Sequence, residues 1–283
     1  MPDTRPIRVL ALQPELRWLQ SMPDMHLIRQ TIEKALVKEP ADLVVLPEVF
    51  NGVPADYNPD AGPQARQFLS TLAKACKIAV VGGSIDYQHN LGNRRNTCFL
   101  FDSSGNEVGS YHKRLLFAHE RESHQKGDGP GIFELAGIRI GVLICGDLWE
   151  PNYVRELIDR IDLLCVPAKT TVPSDSHTEY ARRLWWNLAL TRAMENALPI
   201  VVSDWPESRH EATRLIDGTK VHHVHYTSGG ASITNPGKRP HFDDIQINLP
   251  RGKPGNLSAT INLEEITKFR NYRRSVGLLP EIN

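Results

Sequence analysis

Three residues that can share one reaction each stand at the end of an apolar run. "DLVVLPE" closes on Glu48, "GSYHK" on Lys113 and "IRIGVLIC" on Cys145. A thiol with an ordinary pKa near 8.5 is only a few per cent ionised at neutral pH, so a nucleophilic cysteine needs a base or a neighbouring cation. A glutamate supplies the base. A lysine holds the thiolate and then the oxyanion that develops on an attacked carbonyl. Backbone N–H groups in the turn after Cys145, at "CGD", add to such an oxyanion hole, and the dipole of a following helix helps them.

Each residue also has a plainer reading, because Cys is among the residue types most often buried as a small hydrophobe and a lone Lys carries little signal. Their common placement separates the two readings. In open α/β sheets, ligands collect beyond the carboxyl ends of strands, so side chains far apart in sequence can meet there.

The elements that must position them alternate between β-rich and helical stretches, which is the pattern of an α/β protein. Strands are expected at 7–13, 42–48, 77–84 and 138–145, and helices at 24–39 and 63–76. A hairpin spans 96–113 around Ser-Ser-Gly-Asn. A helix begins at Glu150-Pro151, with Val154, Leu157, Ile158 and Ile161 at helical spacing. After the strand "DLLCVPA" come a helix at 177–197, the strand "PIVVSD", a hairpin-like region at "GGASITNPGKR", and the strand "LSATINL" before a helical tail. Runs such as "LVVL" and "IGVLI" are apolar on both faces, as strands between two layers must be. The interleaved hairpins favour a mixed sheet, or two sheets face to face with helices outside, over an all-parallel one.

Composition bounds the rest. The 283 residues, 40% of them hydrophobic, carry 33 Lys plus Arg against 33 Asp plus Glu, so no net field draws the chain to nucleic acid or to an anionic membrane. No apolar run reaches eighteen residues and "MPDTRPIRVLALQP" has no leader pattern, which sets a cytoplasmic protein as the expectation. Cys76, Cys98, Cys145 and Cys165 form no C-x-x-C pair. His119 and His124 stand five apart, not the four of a helical metal pair, and His223 and His225 have no evident carboxylate or thiol partner. "VVGGS" lacks the spacing of a dinucleotide loop. Neither a metal nor another cofactor is expected.

The chain resembles the nitrilase superfamily of carbon–nitrogen hydrolases. "DLVVLPEVF", "YHKRLLF" and "IGVLICGDLWEP" are similar to that family's Glu, Lys and Cys segments, and "DLLCVPA", "WWNLALTRAMENALPIVVSD" and "GGASITNPGKR" follow in the family's order. The resemblance covers nearly the whole of 1–283 as one domain. It implies a four-layer α-β-β-α sandwich of two mixed sheets with helices outside, and a homodimer or higher oligomer in which the tail from about residue 265 packs on a partner. It implies that Glu48 is the general base, Lys113 the oxyanion stabiliser and Cys145 the nucleophile, which forms a thioester as ammonia or an amine leaves a small amide. The family's second glutamate lies seven residues before a glycine, which selects Glu120, with Gly127, over Glu122.

This chain departs from many relatives in having Gly146, not a tyrosine, after the nucleophile, which is expected to leave room there, and in having Ser123 and His124 where aromatic residues often stand. Substrate contacts are expected from Gly146, Trp149, Ala168, Thr170 and Thr171. Nitrile hydrolysis, acyl transfer to an amine, and a silent binding protein on the same fold are the rival readings.

Overall fold

The computed structural model describes residues 6–15, 18–19, 22–52, 61–88, 94–117, 120–216, 219–238 and 245–279, so His119 lies outside the described residues. In chain order the strands are β1 (Ile7–Gln13), β2 (Trp18–Leu19), β3 (Met22–Pro23), β4 (Leu43–Val45), β5 (Ala79–Val81), β6 (Ile85–Gln88), β7 (Arg94–Phe101), β8 (Glu107–His112) and β9 (Gly131–Leu135). They continue as β10 (Ile138–Val142), β11 (Leu163–Pro167), β12 (Thr171–Val172), β13 (Ile200–Ser203), β14 (Ser208–Ile216), β15 (Thr219–Thr227), β16 (Ser232–Thr234), β17 (Gln246–Asn248) and β18 (Gly255–Ile261). The helices are α1 (Met25–Lys38), α2 (Ala61–Cys76), α3 (Glu120–Ser123), α4 (Pro151–Arg155), α5 (Thr178–Asn196) and α6 (Leu263–Ser275).

The period-two alternation of each strand sorts its side chains into two environments. Val9, Ala11, Leu43, Val45, Ala79, Val81, Cys98 and Leu100 share one core with residues of the second sheet, including Ile140, Val142, Leu163 and Cys165. The intervening Leu10, Leu12, Val44, Leu46, Val80, Phe99 and Phe101 pack instead with Ile28 and Ile32 of α1 and Leu69 and Leu72 of α2. Strands with both faces buried therefore read as unbroken apolar runs. On the far side of the second sheet, Trp185, Ala189 and Ala193 of α5 join the core. The result is the α-β-β-α sandwich.

Both large sheets are mixed. The first runs β18-β1-β4-β5-β7-β6, with β8 on the other edge of β7, and the second runs β17-β16-β13-β11-β10-β9. β1, β4 and β5 are parallel neighbours, as are β10, β11 and β13. The expected hairpin at 96–113 is the antiparallel pair β7–β8.

Local expectations differ from the structure in several places. β10 stops at Val142, three residues before Cys145, because the Asp147 carboxylate takes the Ile144 N–H at 2.9 Å and turns the chain into a 3-10 helix over Cys145–Trp149. α4 ends at Arg155 instead of running to Ile161, since Asp159 adopts a left-handed φ of 64° and its carbonyl is bound by Arg139 Nη1 at 2.7 Å. The long antiparallel ribbon β14–β15, which pairs with β12, extends well beyond the expected elements; its polar, His-rich strands carry no apolar alternation.

Truncating Leu100, fully buried between the sheets, to Ala is expected to cost about 3 kcal/mol in urea unfolding. Val37→Ala, on the exposed face of α1, is expected to stay within about 0.5 kcal/mol.

Candidate active site

Glu48 follows β4, Lys113 follows β8 and Cys145 follows β10, so all three leave the carboxyl ends of strands and meet at one end of the sandwich. Lys113 Nζ donates to Glu48 Oε1 at 2.6 Å and to Glu120 Oε2 at 2.8 Å. The lysine is 2% exposed, Glu48 4% and Glu120 7%. Glu122, the competitor of Glu120, is exposed.

The two sheets cooperate in placing Glu48. Its N–H donates to the Ala168 carbonyl at 3.1 Å, and its carbonyl accepts from the indole N–H of Trp205 at 2.6 Å. Both partners follow strands of the second sheet, β11 and β13. Ser203 Oγ ties the layers together nearby, donating to the carbonyls of Leu12 and, at 2.9 Å, Val45. Gly127 explains the spacing that selects Glu120. Its N–H donates to the Lys113 carbonyl at 2.8 Å, and a Cβ there would lie 2.1 Å from the His112 carbonyl oxygen, so only glycine lets the two segments close on each other.

Cys145 opens its turn with a φ of 45°, a left-handed conformation that a non-glycine residue rarely adopts and that strained functional turns often hold. Its sulfur is 4.0 Å from the Lys169 carbonyl oxygen. Asp147 anchors the turn. Its carboxylate accepts from Tyr111 Oη at 2.8 Å and from the N–H groups of Leu115 at 2.6 Å, Arg114 at 3.1 Å and Ile144 at 2.9 Å, which binds the elbow to the segment after Lys113. Helix α4 is capped by the Glu150 side chain at Asn152 N.

Burial and the Glu48 charge push the Cys145 thiol well above its ordinary value, and Lys113 only partly offsets them. Burial works against the Lys113 ammonium, yet Glu48, Cys145 and Glu120 outweigh it and raise the lysine's pKa. Glu120 is held below the usual glutamate value. Burial opposes its charge, but Lys113 overcomes that, aided by the Phe117 N–H and Asn96. The resting site thus holds a thiol beside an ammonium shared by two carboxylates.

The other expected residues fall in different places. A Cβ at Gly146 would meet the Leu115 carbonyl at 3.3 Å, so the space left by a missing ring is bounded by that segment. Trp149 is 44% exposed and edge-on to Trp185 at 6.2 Å. Ala168 is fully buried, Thr170 is buried with its N–H on Asp204 at 3.0 Å, and Thr171 pairs with Thr227 in β12. Arg192 holds the elbow from α5 through the carbonyls of Leu148 and Trp149. His223 and His225 share a face of β15, with rings stacked at 5.7 Å. Sequence reasoning missed Asn96, whose Nδ2 reaches both Glu48 and Glu120, and Lys169, whose ammonium lies 4.0 Å over the Trp205 ring. The only signal for Asn96 was a polar residue at the start of an apolar strand.

The sandwich is the nitrilase-type fold, and the chain belongs to the carbon–nitrogen hydrolase family, whose model matches residues 7–233. It is 29% identical over 164 residues to the 2-oxoglutaramate amidase of Bacillus subtilis, covering 55% of this chain and 60% of that one. It is 33% identical over 133 residues to the omega-amidase NIT2 of Danio rerio, covering 42% and 48%. The matches thus span about half to three-fifths of these relatives. Among solved structures it is similar, with a TM-score of 0.70 and 21% identity over 95% of this chain and 94% of the other, to an amidase of Nesterenkonia sp. AN1 with the acetamide moiety of fluoroacetamide covalently added at its active-site cysteine.

Because the folded Glu120 carboxyl titrates below its unfolded value of 4.5, its ionised form adds stability that is fully present above that pH and lost as pH falls through the folded value. Urea unfolding followed against pH is expected to show this acid loss in the wild type and a smaller one in Glu120→Gln. At neutral pH the variant is expected to be less stable by about 3 kcal/mol, since Lys113 keeps only one carboxylate.

Proposed function

We propose that the protein hydrolyses the carbon–nitrogen bond of small amides through a thioester on Cys145. The observation that carries this reading is the Lys113 ammonium, bonded to both Glu48 and Glu120 next to a thiol on a strained elbow. Glu48 takes the thiol proton as sulfur bonds to the amide carbon. Lys113 and the backbone N–H groups of the elbow stabilise the oxyanion. The C–N bond then breaks, and the proton held by Glu48 leaves with ammonia or the amine. Water repeats the sequence: Glu48 takes its proton, oxygen bonds to the acyl carbon, the C–S bond breaks and the thiol is restored with the acid as product. Glu120 positions Lys113. Gly146, Trp149, Thr170 and Thr171 border the acyl group, with Ala168 setting the backbone of Glu48.

The name of the Bacillus subtilis relative supports an amide that carries a carboxylate at its far end. Lys169 supports the same choice. It follows β11, its carbonyl lies beside the Cys145 sulfur, and its ammonium rests on the Trp205 indole at 4.0 Å. The exposed Tyr272, Val276 and Leu278 in and after α6 support packing of the tail from about residue 265 on a second copy in a homodimer.

Cys145→Ala is expected to abolish amide turnover with unchanged circular dichroism, and Glu48→Gln to leave no acyl adduct in the intact mass spectrum; an active Ala variant overturns the mechanism. Lys169→Met is expected to raise KM for an ω-amide bearing a carboxylate at least about tenfold, consistent with losing a charged contact, and to leave a neutral amide of equal length unaffected. Equal effects on the two substrates would remove Lys169 from substrate selection.

A further inference from the structure

Asn96 lies in β7 between the two carboxylates and is 1% exposed. Its Nδ2 donates to Glu48 Oε1 at 2.9 Å and to Glu120 Oε1 at 2.7 Å, and its backbone carbonyl accepts the Lys113 N–H at 3.0 Å. One residue thus touches three members of the site. Its own Oδ1 is buried and has no hydrogen-bond partner. Leaving a buried carbonyl unsatisfied costs roughly 1–3 kcal/mol, which an apolar side chain of similar shape would avoid. Turning the carboxamide over is no remedy, because its oxygen would then face two carboxylate oxygens at the same short distances. What the side chain contributes is its pair of N–H donors.

Those donors divide the labour between the oxygens of Glu48. Oε1 accepts from both Lys113 Nζ and Asn96 Nδ2. Oε2 accepts from no nitrogen or oxygen donor among the described residues. A carboxylate held through one oxygen keeps the other aimed at a fixed point, and a proton transfer needs that geometry more than it needs extra basicity.

We propose that Asn96 is a positioning residue for the base: by donating to Glu48 and Glu120 together it fixes both carboxylates around the Lys113 ammonium and reserves Glu48 Oε2 for the proton of Cys145. This rests on the thioester reading above. Removing a donor from a carboxylate favours its protonated form. The charged and titratable groups that face Glu48 are Lys113, Glu120 and Cys145, and none of them replaces the lost donor.

The test compares Asn96→Leu, which keeps the shape without donors, with Asn96→Ser, which keeps one, on a small amide across pH. A hydrogen bond to a charged group is worth about 1.5–3 kcal/mol, so the Leu variant is expected to lose about 10- to 150-fold. The loss falls in kcat, with KM within about twofold because Asn96 does not reach substrate. The acid limb of kcat/KM moves to higher pH, and Ser recovers part of both effects. Should Leu fail to fold by circular dichroism, Asn96→Asp, which lacks the donors and adds a carboxyl, replaces it and is expected to move the limb farther. The same shift is read without substrate in the pH dependence of Cys145 alkylation by iodoacetamide. A folded Leu or Asp variant whose acid limb stays in place, or whose loss lies wholly in KM, overturns the role of Asn96. A wild type that forms the acyl adduct alongside such a variant leaves the thioester reading standing, whereas turnover by Cys145→Ala overturns that reading whatever the Asn96 variants do.

Discussion

The site depends on one buried ammonium. Lys113 is nearly inaccessible to water, and an isolated ion there is costly unless charges and hydrogen bonds replace its hydration. Glu48 and Glu120 provide both. Two carboxylates around one cation leave the cluster with an excess negative charge, and a second anion on sulfur would add to it. Burial first, and then that balance, push the Cys145 thiol above its ordinary value although a lysine stands beside it. In the proposed reaction the proton leaves only as a carbonyl arrives to take the electrons.

This arrangement makes demands on the whole sandwich. Glu48 comes from the first sheet, yet its backbone is held at both N–H and C=O by groups at the ends of β11 and β13 in the second. Asp147 does the reciprocal job, holding the Cys145 elbow to the segment that carries Lys113 through three accepted hydrogen bonds and bracing the elbow itself through a fourth, from the Ile144 N–H. Face-to-face packing of the sheets is therefore the means by which acid, cation and sulfur reach contact range, and a slip between layers would separate them.

Much of this was legible in the residues. Glu48, Lys113 and Cys145 stand at ends of apolar runs, and the seven-residue spacing from Glu120 to Gly127 has a steric cause in the close approach of Gly127 to His112. The alternation of Val9, Leu10, Ala11 and Leu12 between two cores explains why such runs look continuous. Other features leave no local trace. Asn96 matters because of what lies opposite it across the fold, and its neighbours in sequence say nothing of Glu48. Asp147 follows the cysteine in the turn, and the donors that claim it come from the preceding strand end and from residues 111–115. The end of α4 is set by the left-handed Asp159, whose carbonyl is bound by Arg139 and whose carboxylate is bound by Arg270 and Arg274. The β14–β15 ribbon is built from backbone pairing that its polar side chains do not advertise.

The protonation of sulfur in the free protein tests the shared ammonium most directly. Thiolate ultraviolet absorbance, taken as the difference between the wild type and Cys145→Ala and followed from acid to alkaline pH, isolates that one group. The expected result is no difference signal at neutral pH, with thiolate appearing only above the ordinary thiol range. A thiolate at neutral pH that vanishes with the sulfur would show that Lys113 is paired to Cys145 in place of the two carboxylates, and would contradict the charge balance on which the site is built.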